Sequence, residues 1–223
     1  MNASPDALRT RQLSALRARA GRGALLVVDV QRSFADPEFV APYGLGEDDL
    51  ARLDAAVARC ERLVAEAREI GVPVIWLELE SGPGAHWRAS SWLTLGDAAA
   101  PLINAPCVAG TVGADWYRLS PLAGEKRIRK HRYSGFVGTD LESHLAASGV
   151  EWVAVAGLTT ECCVAATAFD AFQRDLLVTI PADATTAYEA GLHEATLAAL
   201  ALNVALVVTG DELVGLWRRE ATA

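Results

Sequence analysis

Asp29, Lys130 and Cys163 lie far apart in the chain, yet their side chains could combine into one nucleophilic set. Two adjacent cysteines stand in "GLTTECCVAATAFDA", residues 157–171, among small and apolar neighbours. An acid, Asp29, interrupts the apolar run "ALLVVDV", and Lys130 closes "KRIRK". Taken singly, each has an ordinary reading: Asp29 as a turn-former or helix cap, Lys130 as a solvated cation, Cys163 as core filler. Taken together they need one another. A thiol in the first turn of a helix feels the positive end of the helix dipole, which favours the thiolate. An ammonium stabilises that thiolate, and a carboxylate accepts and returns its proton. The ammonium and the carboxylate also make each other's burial tolerable. Cys163 as nucleophile, Asp29 as general base and acid, and Lys130 as electrostatic partner thus suit attack on a carbonyl. A redox pair of Cys162 and Cys163 fits less well, because adjacent cysteines form a strained disulfide and lack the Cys-x-x-Cys spacing.

The elements that must position these residues follow from the alternation of short β-branched runs with helical patterns. Strands are expected at 24–30, 72–80, 126–130, 151–157, 175–181 and 203–209, and helices at 48–70, 139–147, 161–174, 188–201 and 211–219. The helix over 48–70 places Leu50, Leu53, Val57, Cys60, Leu63, Val64 and Ala67 at helical spacing and ends at Gly71, before Pro73. Strands separated by helices imply right-handed crossovers. The expected fold is a three-layer α/β/α sandwich around a mostly parallel six-stranded sheet. Such sheets bind ligands beyond the carboxyl ends of their strands, where all three residues would lie. Residues 81–125 are irregular and rich in Gly, Pro and Trp, as in a functional loop or one with short elements of its own.

Composition narrows the partners. The net charge of −8 argues against nucleic acid and anionic membrane, and no apolar run is long enough to span a bilayer. Four cysteines in 223 residues do not make a disulfide framework, which points to a reduced, cytoplasmic protein. Residues 1–22 read as an N-terminal helical arm and 23–223 as a single domain. The arm carries Arg9, Arg11, Arg17, Arg19 and Arg22 with a slight likeness to an organellar transit peptide. The preferred reading is a basic helix packing on the body, or on a neighbouring subunit through Leu8, Leu13 and Leu16.

Three segments, "LLVVDVQRSF", "KHRYSGFVGTDLESHL" and "VAGLTTECCVAATAFDAF", stand in an order and spacing that resembles the isochorismatase-like superfamily of cysteine hydrolases. That superfamily includes nicotinamidases and the N-carbamoylsarcosine, biuret and ureidoacrylate amidohydrolases, and the likeness runs from about residue 24 to 209. The resemblance implies that the nucleophile is the cysteine directly before Val164 and four residues before Thr167, which is Cys163. Cys162 is then a packing neighbour. It further implies a cis peptide between Leu158 and Thr159, and an oxyanion hole from the N–H groups of Thr159 and Cys163. Thr160 is expected to cap the following helix.

Gln31, Phe34, Tyr133, Phe136 and Trp87 are the expected substrate contacts, the alternatives being a strand-end cap for Gln31 and core or interface packing for the aromatics, with Trp92, Trp116 and Tyr117 in a lid or interface. Nicotinamidases of the superfamily hold a metal through Asp-x-His, whereas "LELESGPGAHWRASSW" offers Glu78, Glu80 and His86 instead. No metal and no cofactor are therefore expected. The implied activity is cleavage of a C–N bond in a small amide, carbamoyl or ureido compound by a homodimer or homotetramer. The alternatives are vinyl-ether hydrolysis using Asp29, a nicotinamidase-like amidase, and a catalytically silent binding protein.

Overall fold

The computed structural model describes residues 5–82 and 105–220. Its sheet is parallel throughout: β1 Gly23–Val28, β2 Val74–Leu79, β3 Lys126–Lys130, β4 Trp152–Leu158, β5 Leu177–Pro181, β6 Thr185–Thr186 and β7 Leu206–Val208. The spatial order is β3-β2-β1-β4-β5-β7, and β6 pairs with the end of β4. Six of these strands are those expected. The seventh, β6, spans two residues, too few for any alternation to betray it. Strands β1, β2 and β4 are buried along their whole length, as a parallel sheet covered on both faces requires.

Register sets the height of the functional edge. Val28 lies opposite both Leu77 and Gly157, and Leu79 lies opposite Lys130. Gly157 has φ +111°, and a Cβ there would sit 2.1 Å from the carbonyl oxygen of Val28. Only glycine lets β1 and β4 approach so closely at the point where both strands deliver site residues.

The helices are α1 Pro5–Arg17, α2 Arg32–Ala35, α3 Pro37–Val40, α4 Glu47–Ile70, α5 Leu141–Ala147, α6 Ala165–Phe172, α7 Ala190–Asn203 and α8 Gly210–Glu220. Helix α4 stops where glycine permits it: Gly71 has φ +88° and its N–H bonds the Ala67 carbonyl. One face of the sheet is covered by α1, α4 and α8 through Leu16, Leu53, Leu63, Trp76 and Trp217. The other is covered by α5, α6 and α7 through Leu26, Ile128, Leu141, Ala168 and Leu200. Helix α1 docks on its own chain. Leu16 is buried and Leu13 packs beside it, while Arg9 bonds the Val207 carbonyl at 2.9 Å and pairs with Glu212 at 2.8 Å. Arg19 and Arg22 both pair with Glu151. The leucines expected to face a partner subunit are thus used within the chain, apart from Leu8, which is exposed.

Two local readings change. The helix expected over 161–174 begins instead as a π-helical turn, Thr160–Val164, before α6. Trp116 and Tyr117 do not form a lid. Trp116 packs edge-on against Trp76 with ring centroids 4.7 Å apart, and the Tyr117 N–H bonds the Val30 carbonyl. Trp87 and Trp92 lie outside the described residues. Among the described residues, no helix is long and apolar enough to cross a membrane.

Candidate active site

Asp29 leaves β1 with φ +48°, a left-handed conformation that aspartate tolerates better than most residues, and its N–H bonds the Leu77 carbonyl. Its carboxylate is fully buried and meets the Lys130 ammonium at 2.7 Å. Lys130 closes β3, so its side chain reaches over β2 to arrive there. The same Nζ donates to Cys163 Sγ at 3.3 Å and to the Arg132 carbonyl at 3.1 Å. With Asp29, these two acceptors account for the three protons of the ammonium. Cys163 comes from the π-helical turn after β4 and is almost wholly buried. Three residues from three separate segments thus converge on one point at the carboxyl edge of the sheet.

Burial sets the protonation pattern. It raises the Asp29 carboxyl above its usual range, although the Lys130 charge and the Cys163 thiol pull the other way. Burial and then the Asp29 charge push the Cys163 thiol well above its ordinary value, and Lys130 does not offset them. For Lys130, burial acts downward, but Asp29 and Cys163 outweigh it and hold the ammonium above its usual range. Burial thus works against the charged forms of both Asp29 and Cys163, while Lys130 is held as the cation between them. The helix-start field expected to favour the thiolate is opposed here by burial, and the turn that carries the cysteine is short. Asp29, whose proton affinity burial raises, is the carboxylate beside the thiol, an arrangement with the chemistry to accept a thiol proton. Cys162 is half-buried against the core of the α6 face, and burial raises its thiol too.

The peptide bond between Leu158 and Thr159 is cis. The Thr159 hydroxyl donates to Glu161 Oε1 at 2.9 Å. The buried Thr160 hydroxyl is held between Thr185 Oγ1 at 2.8 Å and His193 Nδ1 at 2.9 Å, so it ties the turn to β6 and α7 rather than capping a helix.

The expected substrate contacts divide. Gln31 is buried, and its Nε2 donates to the carbonyls of Leu79 at 3.0 Å and Ala114 at 2.9 Å. Its Oε1 accepts from the Leu79 N–H at 2.9 Å. Both amide protons are spent on backbone, so Gln31 clamps the end of β2 to the 112–114 turn instead of facing a substrate. Phe136 is core: it packs in the cluster that holds Cys163, with the Arg174 guanidinium 4.8 Å from its ring. Phe34 packs against Leu79 and Cys107. Tyr133, three residues beyond Lys130, is 40% exposed, and burial raises its hydroxyl above the usual range. Trp87 and His86 lie outside the described residues. Glu78 is engaged by Arg127 and Arg129, and among the described residues no three His, Cys, Asp or Glu side chains are grouped to hold a metal ion. Sequence reasoning missed Tyr188, whose hydroxyl donates to the Phe34 carbonyl at 3.0 Å and whose ring stacks on Tyr43 at 5.1 Å. No local pattern marks it.

Comparison with known proteins agrees with this fold. The family model described as isochorismatase domain matches residues 23–212. A ureidoacrylate amidohydrolase RutB from Methylobacterium radiotolerans is 36% identical over 191 residues, covering 78% of this chain and 71% of that protein. The crystal structure of an isochorismatase family protein from Desulfovibrio vulgaris superposes with a TM-score of 0.72 at 28% identity, covering 89% of this chain and 99% of the other. That of an N-carbamoylsarcosine amidase from Thermoplasma acidophilum gives a TM-score of 0.67 at 25% identity, over 85% of this chain and 97% of the other.

Proposed function

The chain belongs to the isochorismatase domain family, and from that premise we propose that it is a cysteine amidohydrolase of small amide, carbamoyl or ureido compounds. It is a hydrolase acting on C–N bonds other than peptide bonds. The observation that carries the cysteine mechanism is the buried contact of Lys130 with both Asp29, at 2.7 Å, and Cys163, at 3.3 Å. Cys163 Sγ attacks the carbonyl carbon as its proton passes to Asp29. The new oxyanion is met by the N–H groups of Thr159 and Cys163. Collapse of the tetrahedral species breaks the C–N bond, and Asp29 returns the proton to the departing amine or ammonia. Water then cleaves the thioester or thiocarbamate by the same route, with Asp29 again taking the proton. Lys130 stays charged throughout and keeps the carboxylate and the sulfur in register. No step uses a metal.

The test is ammonia release from a panel of small amides, ureides and carbamoyl amino acids. Cys163→Ala is expected to abolish turnover, while Cys162→Ala and added chelator leave it intact. Full turnover by Cys163→Ala would sink the mechanism and leave hydrolysis at Asp29 alone.

A further inference from the structure

Ser81 presents a side-chain oxygen for which the fold has no use. The residue lies just past β2 and is 1% exposed, and its Oγ has no hydrogen-bond partner among the described residues. Its backbone is fixed on both sides, with its N–H on the Cys107 carbonyl at 3.0 Å and its carbonyl accepting from Ala109 at 2.8 Å. A buried hydroxyl that spends its proton on nothing is unfavourable, and where one persists, a missing ligand is a natural explanation.

The direction of the side chain follows from alternation along an extended segment. Glu78 and Glu80 both pair with Arg129 and so share one face, which leaves Leu77, Leu79 and Ser81 on the other. Leu77 packs in the cluster that contains Cys163. Leu79 is level with Lys130 in the sheet, and the Glu80 N–H bonds the Lys130 carbonyl. Ser81 thus stands two residues beyond the lysine's level on the face that carries the nucleophile, a rise of about 7 Å.

We propose that Ser81 is a specificity-determining residue whose hydroxyl donates to a second carbonyl-type acceptor on the substrate. The preferred substrate is then a bifunctional amide or ureide, with a carbonyl or carboxylate beyond the scissile group, rather than a bare amide. This inference rests on Cys163 being the nucleophile.

Alkylation of Cys163 tests it without knowledge of the substrate. Iodoacetamide and N-(iodoacetyl)glycinamide react alike, the sulfur displacing iodide as the thiol proton passes to Asp29, but only the second carries a distal carbonyl. Labelling rates at Cys163 are followed by mass spectrometry in the native protein, Ser81→Ala and Ser81→Thr. The native protein should favour the glycinamide reagent over iodoacetamide by about fivefold to tenfold, the worth of one neutral hydrogen bond. Ser81→Ala should lose that preference, keep its iodoacetamide rate and unfold at no lower temperature, and Ser81→Thr should retain the preference. Equal preference in the native protein and Ser81→Ala overturns the proposal. So does a fall in both rates together with a lowered unfolding temperature, which would mark a structural hydroxyl. If neither reagent labels Cys163 in the native protein, the nucleophile assignment itself fails and this inference falls with it.

Discussion

Replacing Lys130 with methionine removes the cation from a buried ion pair while keeping the length of the side chain. The contact is 2.7 Å, so an effective dielectric of about 20 gives an attraction of about 6 kcal/mol. The variant need not bear that whole loss, because Asp29 can take up a proton instead. From an unfolded value of 3.8, holding that proton costs about 1.36 × (7 − 3.8), or about 4.4 kcal/mol at pH 7, and about 1.6 kcal/mol at pH 5. The signs follow from the group. Without Lys130 the folded carboxyl is raised further, so the variant's relative stability is greatest in acid and is lost as pH rises towards the new folded value. The variant's stability deficit relative to the native protein should therefore grow by up to about 2.7 kcal/mol between pH 5 and pH 7, the equivalent of one proton. Urea unfolding of both proteins at the two pH values reads this difference, and a total stability of about 5–15 kcal/mol leaves the variant folded. A deficit that is the same at both pH values, or no deficit, refutes the assignment of Asp29 as the charge that Lys130 neutralises.

Three other outcomes are expected. The acid limb of kcat/KM should rise with pH through a value above the ordinary carboxylate range, because Asp29 must be ionised to act and burial raises it; Asp29→Asn should lower the rate by about 10²–10⁴-fold and erase that limb. Gln31→Leu strands the Leu79 N–H and the carbonyls of Leu79 and Ala114, so chemical denaturation should show a loss of about 3 kcal/mol or more. Gly157→Ala sets a Cβ 2.1 Å from the Val28 carbonyl oxygen at φ +111°, and should cost about 4 kcal/mol or more or yield insoluble protein.

What could be read in advance was whatever depends on local pattern. Short β-branched runs and 3.6-residue periodicity locate the long elements, and a parallel sheet then obliges Asp29 and Lys130 to share an edge with the turn after β4. Contacts that join distant loops carry no such signature. Gln31 looks like a polar residue near the site until its partners at 79 and 114 are known. Phe136 looks like a pocket wall until Arg174 and the α6 face enclose it. The surroundings of the thiol are hidden for a related reason: a dipole can be inferred from a helix start, whereas the dryness that raises the thiol comes from side chains supplied by the whole fold. The short helices α2 and α3 fell below the length at which periodicity can be counted.

Strand β3 is the margin of the sheet, where hydrogen bonds on one side go unshared and opening normally begins. Arg127 and Arg129 keep that margin from pairing with another chain, but charge alone does nothing to hold the strand down. Lys130 does, because it crosses two strand spacings, about 10 Å, to reach a carboxylate that has no other cation partner among the described residues. Lifting β3 by even one residue at this end would strand a negative charge in the interior. The centre is thus also a latch: the segment most inclined to fray is fastened by the group the proposed chemistry requires, so amide exchange at 128–130 and the integrity of the proposed nucleophile should rise and fall together.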